Sequence, residues 1–138
     1  MVVRPEVLPW MRLARVYQKM MRAMADQLRP HGLSGAQFDV LAQVGASGGR
    51  TQQELADALL TTKGNVCQLL DRMEAGGLLR RVQEGRVNRL HLTAEGRRLY
   101  DLVVPAHEVW VAERLAVLTP AEREAMHAAL RRLDRSLS

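Results

Sequence analysis

The fold is decided by residues 51–96, which read TQQELADALLTTKGNVCQLLDRMEAGGLLRRVQEGRVNRLHLTAEG. The segment Thr51–Glu54 matches a capping box, in which an N-cap hydroxyl is followed three residues later by Glu or Gln. Thr62 supplies a second N-cap of the type that helices prefer. The pattern therefore predicts a short helix over 52–59, a tight turn, and a second helix over 63–75.

A β-hairpin is predicted directly after this helix pair. Gly76 and Gly77 end the second helix, and two short apolar and basic runs, 78–82 and 89–92, flank the turn-forming residues 83–86. Two short helices joined by a tight turn and followed by an arginine-bearing hairpin have the layout of a winged helix-turn-helix. In its DNA-binding form, the second helix of the pair enters the major groove.

Long helices are predicted on both sides of this unit. Ser34 and Thr119 begin further capping boxes, and Thr93 is another N-cap candidate. Pro105 lies inside one predicted helix, where we expect a kink or a local break near 101–105. The helices predicted outside residues 51–92 cover 7–28, 35–46, 94–117 and 120–137.

Composition agrees with a mostly α-helical protein that carries one small β-hairpin. The chain has 138 residues, 47% of them hydrophobic and only 4% aromatic, and its commonest residues favour helices. We expect a single domain over 1–138. Cys67 is the only cysteine, and no apolar run approaches the ~18 residues of a membrane span. Both observations fit a cytoplasmic protein that does not associate with membranes.

The second helix of the pair has one apolar side and one polar side. At 3.6 residues per turn, Val66, Leu69, Leu70 and Met73 share the side that must face the core. The opposite side is polar and rich in groups that hydrogen-bond to bases or hold phosphates. Its members are Lys63, Gly64, Asn65, Gln68 and Arg72.

The hairpin strengthens the prediction that the protein binds nucleic acid. It contains four arginines and only one acidic residue, Glu84. The arginines are Arg80, Arg81, Arg86 and Arg89. Arg86 lies at the predicted tip, where a guanidinium can enter a minor groove. The chain also carries a net charge of +5, which favours polyanions.

An ordered set of motifs resembles the multiple antibiotic resistance regulator (MarR) family. These motifs are Leu33-Ser-Gly-Ala-Gln-Phe-Asp-Val-Leu41, Gln53-Glu-Leu-Ala56, the run from Asn65-Val66 to Leu78, and Leu92-Thr-Ala-Glu-Gly96. The resemblance makes Arg86 the minor-groove arginine and Glu84 a substitute for the aspartate that braces it. Leu60 stands where many members have Gly, so we expect the turn between the paired helices to differ. The predicted DNA-contacting residues are Thr62, Lys63, Gly64, Asn65, Gln68, Arg72, Glu84, Arg86 and Arg89.

The resemblance also implies how the chain is organised. Residues 31–98 form the DNA-binding lobe, and 1–30 and 99–138 supply dimerisation helices. Several large apolar residues in these flanks need more partner surface than a small lobe offers: Trp10, Met20, Met24, Trp110, Leu115, Leu130 and Leu133. The expected function is a homodimeric repressor of transcription that binds a pseudo-palindromic operator in double-stranded DNA and is released by a small-molecule effector.

Other interpretations stay open at this point. A winged helix can serve non-specific DNA architecture or protein–protein contacts, and it occurs in other regulator families, although the long flanking helices argue against those. Cys67 could act as a redox switch, but packing at the helix side is the simpler role. His107 and Glu108 could join a zinc site, yet no local ligand cluster accompanies them. We expect no metal, no cofactor and no enzymatic activity, because the sequence contains neither a phosphate-binding loop nor a credible catalytic constellation.

Overall fold

The computed structural model describes residues 3–138. Within them lie six α-helices, two 3-10 turns and a three-stranded antiparallel sheet, which confirms the predicted fold class. The chain divides into two compact units, one ending at Tyr100 and the other covering Asp101–Ser138. The elements are the 3-10 turn Pro5–Val7, α1 Leu8–Leu28, the 3-10 turn Arg29–His31, α2 Gly35–Ala46, β1 Arg50–Thr51, α3 Gln52–Ala58, α4 Lys63–Ala75, β2 Leu79–Glu84, β3 Val87–Leu92, α5 Ala94–Leu115 and α6 Pro120–Ser136.

Local capping explains where the helices begin. The hydroxyls of Ser34, Thr51, Thr62 and Thr119 each accept a hydrogen bond from the backbone N–H three residues later. The boxes at Ser34 and Thr119 are complete, since the residue at the third helical position bonds back to the N-cap backbone. At Thr51, the carboxylate of Glu54 instead accepts from the Thr51 hydroxyl at 3.1 Å. These contacts confirm the predicted helix starts.

The sheet is larger than the predicted hairpin. β2 and β3 pair from Leu79–Leu92 to Glu84–Val87, so only Gly85 and Arg86 form the turn, and Gly85 has a φ of 60°. Such a positive φ suits glycine in a two-residue hairpin turn. The sequence prediction missed β1, which pairs with β3 on the other side and gives the order β1-β3-β2. Two residues are too few to show the alternation that marks a strand.

The core of the first unit lies beneath α4 and the sheet. Val66, Leu70 and Met73 of α4 are buried, as their spacing predicts, while Leu69 is half-buried. Met24, predicted as part of the dimerisation surface, is instead buried within this unit. The largest fully buried side chains are Leu28, Leu41, Leu55, Leu70, Met73, Leu79, Leu90, Val40, Val44 and Val66. The inner side of α4 is therefore fixed by packing, which leaves its outer side free.

Leu60 keeps the backbone conformation that glycine would adopt. Its φ is 52°, the only positive φ at a non-glycine position among the described residues, and its side chain is 93% exposed. The expectation of a different turn is therefore wrong. Backbone bonds hold the turn: the Leu60 N–H donates to Asp57 and the Thr61 N–H to Ala56, at 3.2 and 3.0 Å. The hydrogen bonds of the turn therefore hold Leu60 in a strained, left-handed conformation.

Leu60→Gly should raise the free energy of unfolding by about 0.5–1 kcal/mol. Glycine removes a left-handed penalty of about 1–2 kcal/mol, offset in part by its greater freedom in the unfolded chain. Because Leu60 is exposed, little packing is lost. Urea denaturation measures the change, with Ala58→Gly as the control; this change at the last residue of α3 should destabilise the protein, by less than the ~1 kcal/mol of a helix interior. A less stable Leu60→Gly protein would contradict this account of the turn.

The second unit contains the remainder of α5 and the whole of α6. α5 is continuous through Pro105, so the expected local break is wrong, while a kink there stays a prediction. None of the residues of α6 is buried, and Met126, Leu130 and Leu133 expose much of their apolar surface.

Candidate nucleic-acid interface

The outer side of α4 presents a continuous polar surface. Its five members are all exposed: Lys63, Gly64, Asn65, Gln68 and Arg72. Within residues 3–138 the side chains of Lys63, Gln68 and Arg72 have no hydrogen bond or ion pair with the protein, and Asn65 makes one long amide contact, at 3.3 Å, with the Thr61 hydroxyl. This surface is therefore available to an external partner.

The start of α4 is open as well as polar. The Thr62 hydroxyl accepts from the Asn65 backbone N–H at 3.1 Å and so fixes the first turn. A Cβ added to Gly64 would meet nothing nearer than the Thr62 hydroxyl oxygen at 4.0 Å. The fold thus does not require glycine at this position, and the absence of a side chain leaves room for a partner to approach the backbone.

The predicted bracing of Arg86 by Glu84 is wrong. Glu84 forms its ion pair with Arg89, whose guanidinium also donates to the Gly49 carbonyl at 2.9 Å. The strand register explains this choice, because Arg89 lies opposite Val82 and is thus a diagonal neighbour of Glu84 on the same face. Arg86 lies in the turn beyond the last strand pair. It is exposed and has no ion pair in the part of the chain that the structure describes.

Arg81 supports the structure and does not belong to the exposed basic surface. It donates to Glu74 and Asp71 of α4, and its side chain is 20% exposed. Hydrogen bonds from the Arg81 backbone N–H and then its guanidinium lower the pKa of Glu74. This cluster joins β2 to α4 and pairs Asp71, the residue before Arg72 in the sequence, with a cation. Arg80 and Arg86 remain as exposed cations of the hairpin.

A small polar cleft lies between the hairpin and the starts of α3 and α4. Its volume is about 80 Å³, and it is lined by Thr51, Gln52, Gln53, Lys63, Arg86, Val87 and Asn88. Lys63 and Arg86 were predicted from the sequence, whereas Gln52 and Asn88 were missed. The sequence gave one indication that Asn88 has a special role, because asparagine is uncommon in strands and yet lies inside a predicted hairpin.

Neither a group of metal ligands nor a membrane-spanning helix occurs among residues 3–138. No three His, Cys, Asp or Glu side chains among them lie together as a metal site requires. His107 stacks on Trp110 with ring centroids 6.0 Å apart. No helix in residues 3–138 is long and apolar enough to cross a membrane.

A polar recognition surface on the second helix of a helix-turn-helix, beside a basic hairpin tip, defines a winged-helix DNA-binding protein. The family model described as "MarR family" matches residues 31–89. The HTH-type transcriptional regulator PecS of Dickeya dadantii is 30% identical over 131 residues, which cover 91% of this chain and 79% of PecS. YkoM of Bacillus subtilis, an uncharacterized HTH-type transcriptional regulator, is 28% identical over 129 residues, covering 88% and 84% of the two chains.

The fold agrees with these relatives. It is similar to the structure of Staphylococcus aureus MepR in complex with DNA, with a TM-score of 0.84, 24% identity and coverage of 91% of this chain and 95% of that one. The protein therefore belongs to the MarR family of helix-turn-helix transcriptional regulators, whose members are not enzymes.

Proposed function

We propose that the protein is a sequence-specific regulator of transcription that binds a pseudo-palindromic operator as a homodimer and represses until a small-molecule effector releases it. The observation that carries this proposal is the exposed polar surface of α4 beside the exposed arginine of the hairpin tip. Repression and release by an effector rest on membership of the family.

Each side chain of α4 has a distinct role in this proposal. Asn65 and Gln68 contact base edges in the major groove, since their amides match the donor and acceptor pair of adenine. Lys63 and Arg72 hold phosphates or guanine. Thr62 fixes the helix start, and Gly64 admits the DNA backbone. The inner side of α4 is packed into the core, which holds these groups in one orientation.

The hairpin supplies the second contact. Arg86 extends from the tip into the minor groove, where it responds to groove width and phosphate charge. Glu84 and Arg89, predicted as contacts, are assigned here to holding the hairpin, because they bind each other and Arg89 also binds Gly49.

Dimerisation follows from apolar surface that each unit leaves exposed. Leu8, Trp10 and Tyr17 of α1 are 52%, 66% and 62% exposed, and α6 buries none of its residues. Trp10 and Tyr17 are seven residues apart and so lie on one side of α1, and large apolar side chains exposed together in this way mark an interaction surface. A twofold dimer would set two α4 helices against half-sites roughly 34–36 Å apart.

A comparison of specific with non-specific DNA tests the proposal. The protein should bind the intergenic sequence beside its own gene at least about 10³-fold more tightly than a scrambled duplex at physiological salt. Both affinities should fall as salt rises, because phosphate contacts release counterions. Fluorescence anisotropy at several salt concentrations gives the affinities, and light scattering gives the mass.

Two results would overturn the proposal. A stable monomer at micromolar concentration would remove the dimer. Equal affinity for the two duplexes would instead favour the alternative of non-specific DNA architecture, whose binding depends on charge alone.

A further inference from the structure

Gln52 is the only buried polar side chain among residues 3–138, with 5% of its surface exposed. Its amide nitrogen donates to the Cys67 sulfur at 3.1 Å, and its carbonyl oxygen accepts from the Asn88 amide at 3.0 Å. Cys67 belongs to α4 and Asn88 to β3. The Gln52 side chain, at the start of α3, therefore joins α4 to the hairpin.

The position of Asn88 gives this connection its importance. β1 pairs with β3 only at Leu90 and Arg89. Asn88, the next residue of β3 toward the hairpin tip, therefore has no partner in β1. From there to the turn, β3 has a neighbouring strand on one side only. Asn88 thus ties down the part of the hairpin that carries Arg86, two residues away.

The buried amide makes the connection costly to break. A buried polar group that loses its partner is left without the hydrogen bond that compensates its removal from water, so Gln52 favours the arrangement in which both of its bonds are made. On the other side, Cys67 is adjacent in sequence to Gln68 of the exposed surface. The side-chain amide of Gln52 therefore links the hairpin near its tip to α4 near its exposed polar side.

We propose that Gln52 is a positioning residue that presets the hairpin tip relative to the recognition helix, so that Arg86 and Gln68 reach adjacent grooves together. This inference rests on the proposed function. A hairpin held in its binding position loses less conformational freedom when DNA binds. Gln52 therefore acts through Arg86, and without it the Arg86 contact contributes less to affinity.

A double-mutant cycle between Gln52→Leu and Arg86→Ala tests the proposal, using operator titrations at several salt concentrations. In the wild-type background, Arg86→Ala should weaken binding about tenfold and reduce the slope of log K against log salt by about one. In the Gln52→Leu background, the same change should weaken binding less than about threefold and change the slope by less than half a unit. A role in stability alone would lower both affinities without reducing the contribution of Arg86.

Two further variants complete the design. Gln53→Leu is the matched control: Gln53 lines the same cleft, but its amide donates to Asp57 of its own helix and makes no hydrogen bond to α4 or to the hairpin. In this background, Arg86→Ala should keep its full effect. Asn88→Ala breaks the same connection at its exposed end, so it tests the proposal even if Gln52→Leu fails to fold, and it should also reduce the contribution of Arg86.

An additive cycle, in which Arg86→Ala costs the same factor and slope in every background, would overturn the inference. An Arg86→Ala protein that binds like wild type would overturn it too, because no hairpin contact would exist to be positioned. Failure of the proposed function has a different signature, since wild-type protein would then fail to distinguish the operator from the scrambled duplex.

Discussion

Gly96→Ala should lower the free energy of unfolding of the first unit, which ends at Tyr100, by about 3 kcal/mol, at the upper end of typical overpacking effects. A Cβ at this position would lie 1.8 Å from the Leu78 carbonyl oxygen and 2.9 Å from its carbon. Both are backbone atoms, so no side chain can rotate away to make room. Either α5 or the start of β2 must move.

The surrounding hydrogen bonds make such a movement expensive. The Leu78 carbonyl accepts from the Thr93 N–H at 3.1 Å, and the Thr93 hydroxyl accepts from the Gly96 N–H at 3.0 Å. The same hydroxyl donates to the Gly77 carbonyl. A shift of α5 would disturb all three bonds at the corner where α4, β3 and α5 meet.

Urea denaturation followed by circular dichroism measures the effect. Gly48→Ala is the matched control: a Cβ there meets nothing within 4 Å and the backbone has no positive φ, so the change should stay within about 0.5 kcal/mol. If Gly96→Ala unfolded at the wild-type urea concentration, the close packing of α5 on Leu78 would be contradicted.

The sequence predicted the elements whose ends are marked locally. α2 and α4 have the predicted bounds, 35–46 and 63–75, because a capping hydroxyl begins each and small or flexible residues follow each. The exposed and buried sides of α4 followed from the helical period alone. Such features depend on residues within a few positions of one another, which a single sequence displays.

Features that depend on distant partners were not predictable in the same way. β1 exists because Arg50 and Thr51 meet β3, and the Glu84–Arg89 pair depends on a strand register that lengthened the hairpin. Gln52 was counted only as part of a capping box, since its partners lie 15 and 36 residues away in the chain. The prediction for Leu60 failed for the opposite reason. It relied on the preference of leucine for negative φ, whereas the hydrogen bonds of the turn impose a positive φ.

Gln68→Ala and Asn65→Ala should each cost roughly 1–3 kcal/mol of operator affinity and relax the preference at particular base pairs. At 1.4 kcal/mol for each tenfold, this is a loss of roughly 5- to 150-fold. The physical reason is that an amide facing a base edge makes paired hydrogen bonds that an alanine cannot replace. Binding to an operator library, with sequencing of the bound fraction, measures affinity and preference together.

Lys63→Ala provides the contrast that separates base contacts from phosphate contacts. It should weaken binding to all sequences alike and reduce the salt slope by about one, because a phosphate contact carries no sequence information. None of the three changes should lower the stability of the free protein by more than about 0.5 kcal/mol, since the residues are exposed and alanine favours helices. Loss of affinity can therefore be assigned to the interface. Wild-type sequence preference in both amide variants would show that this side of α4 does not contact the bases, even if the lobe still bound DNA through its charge.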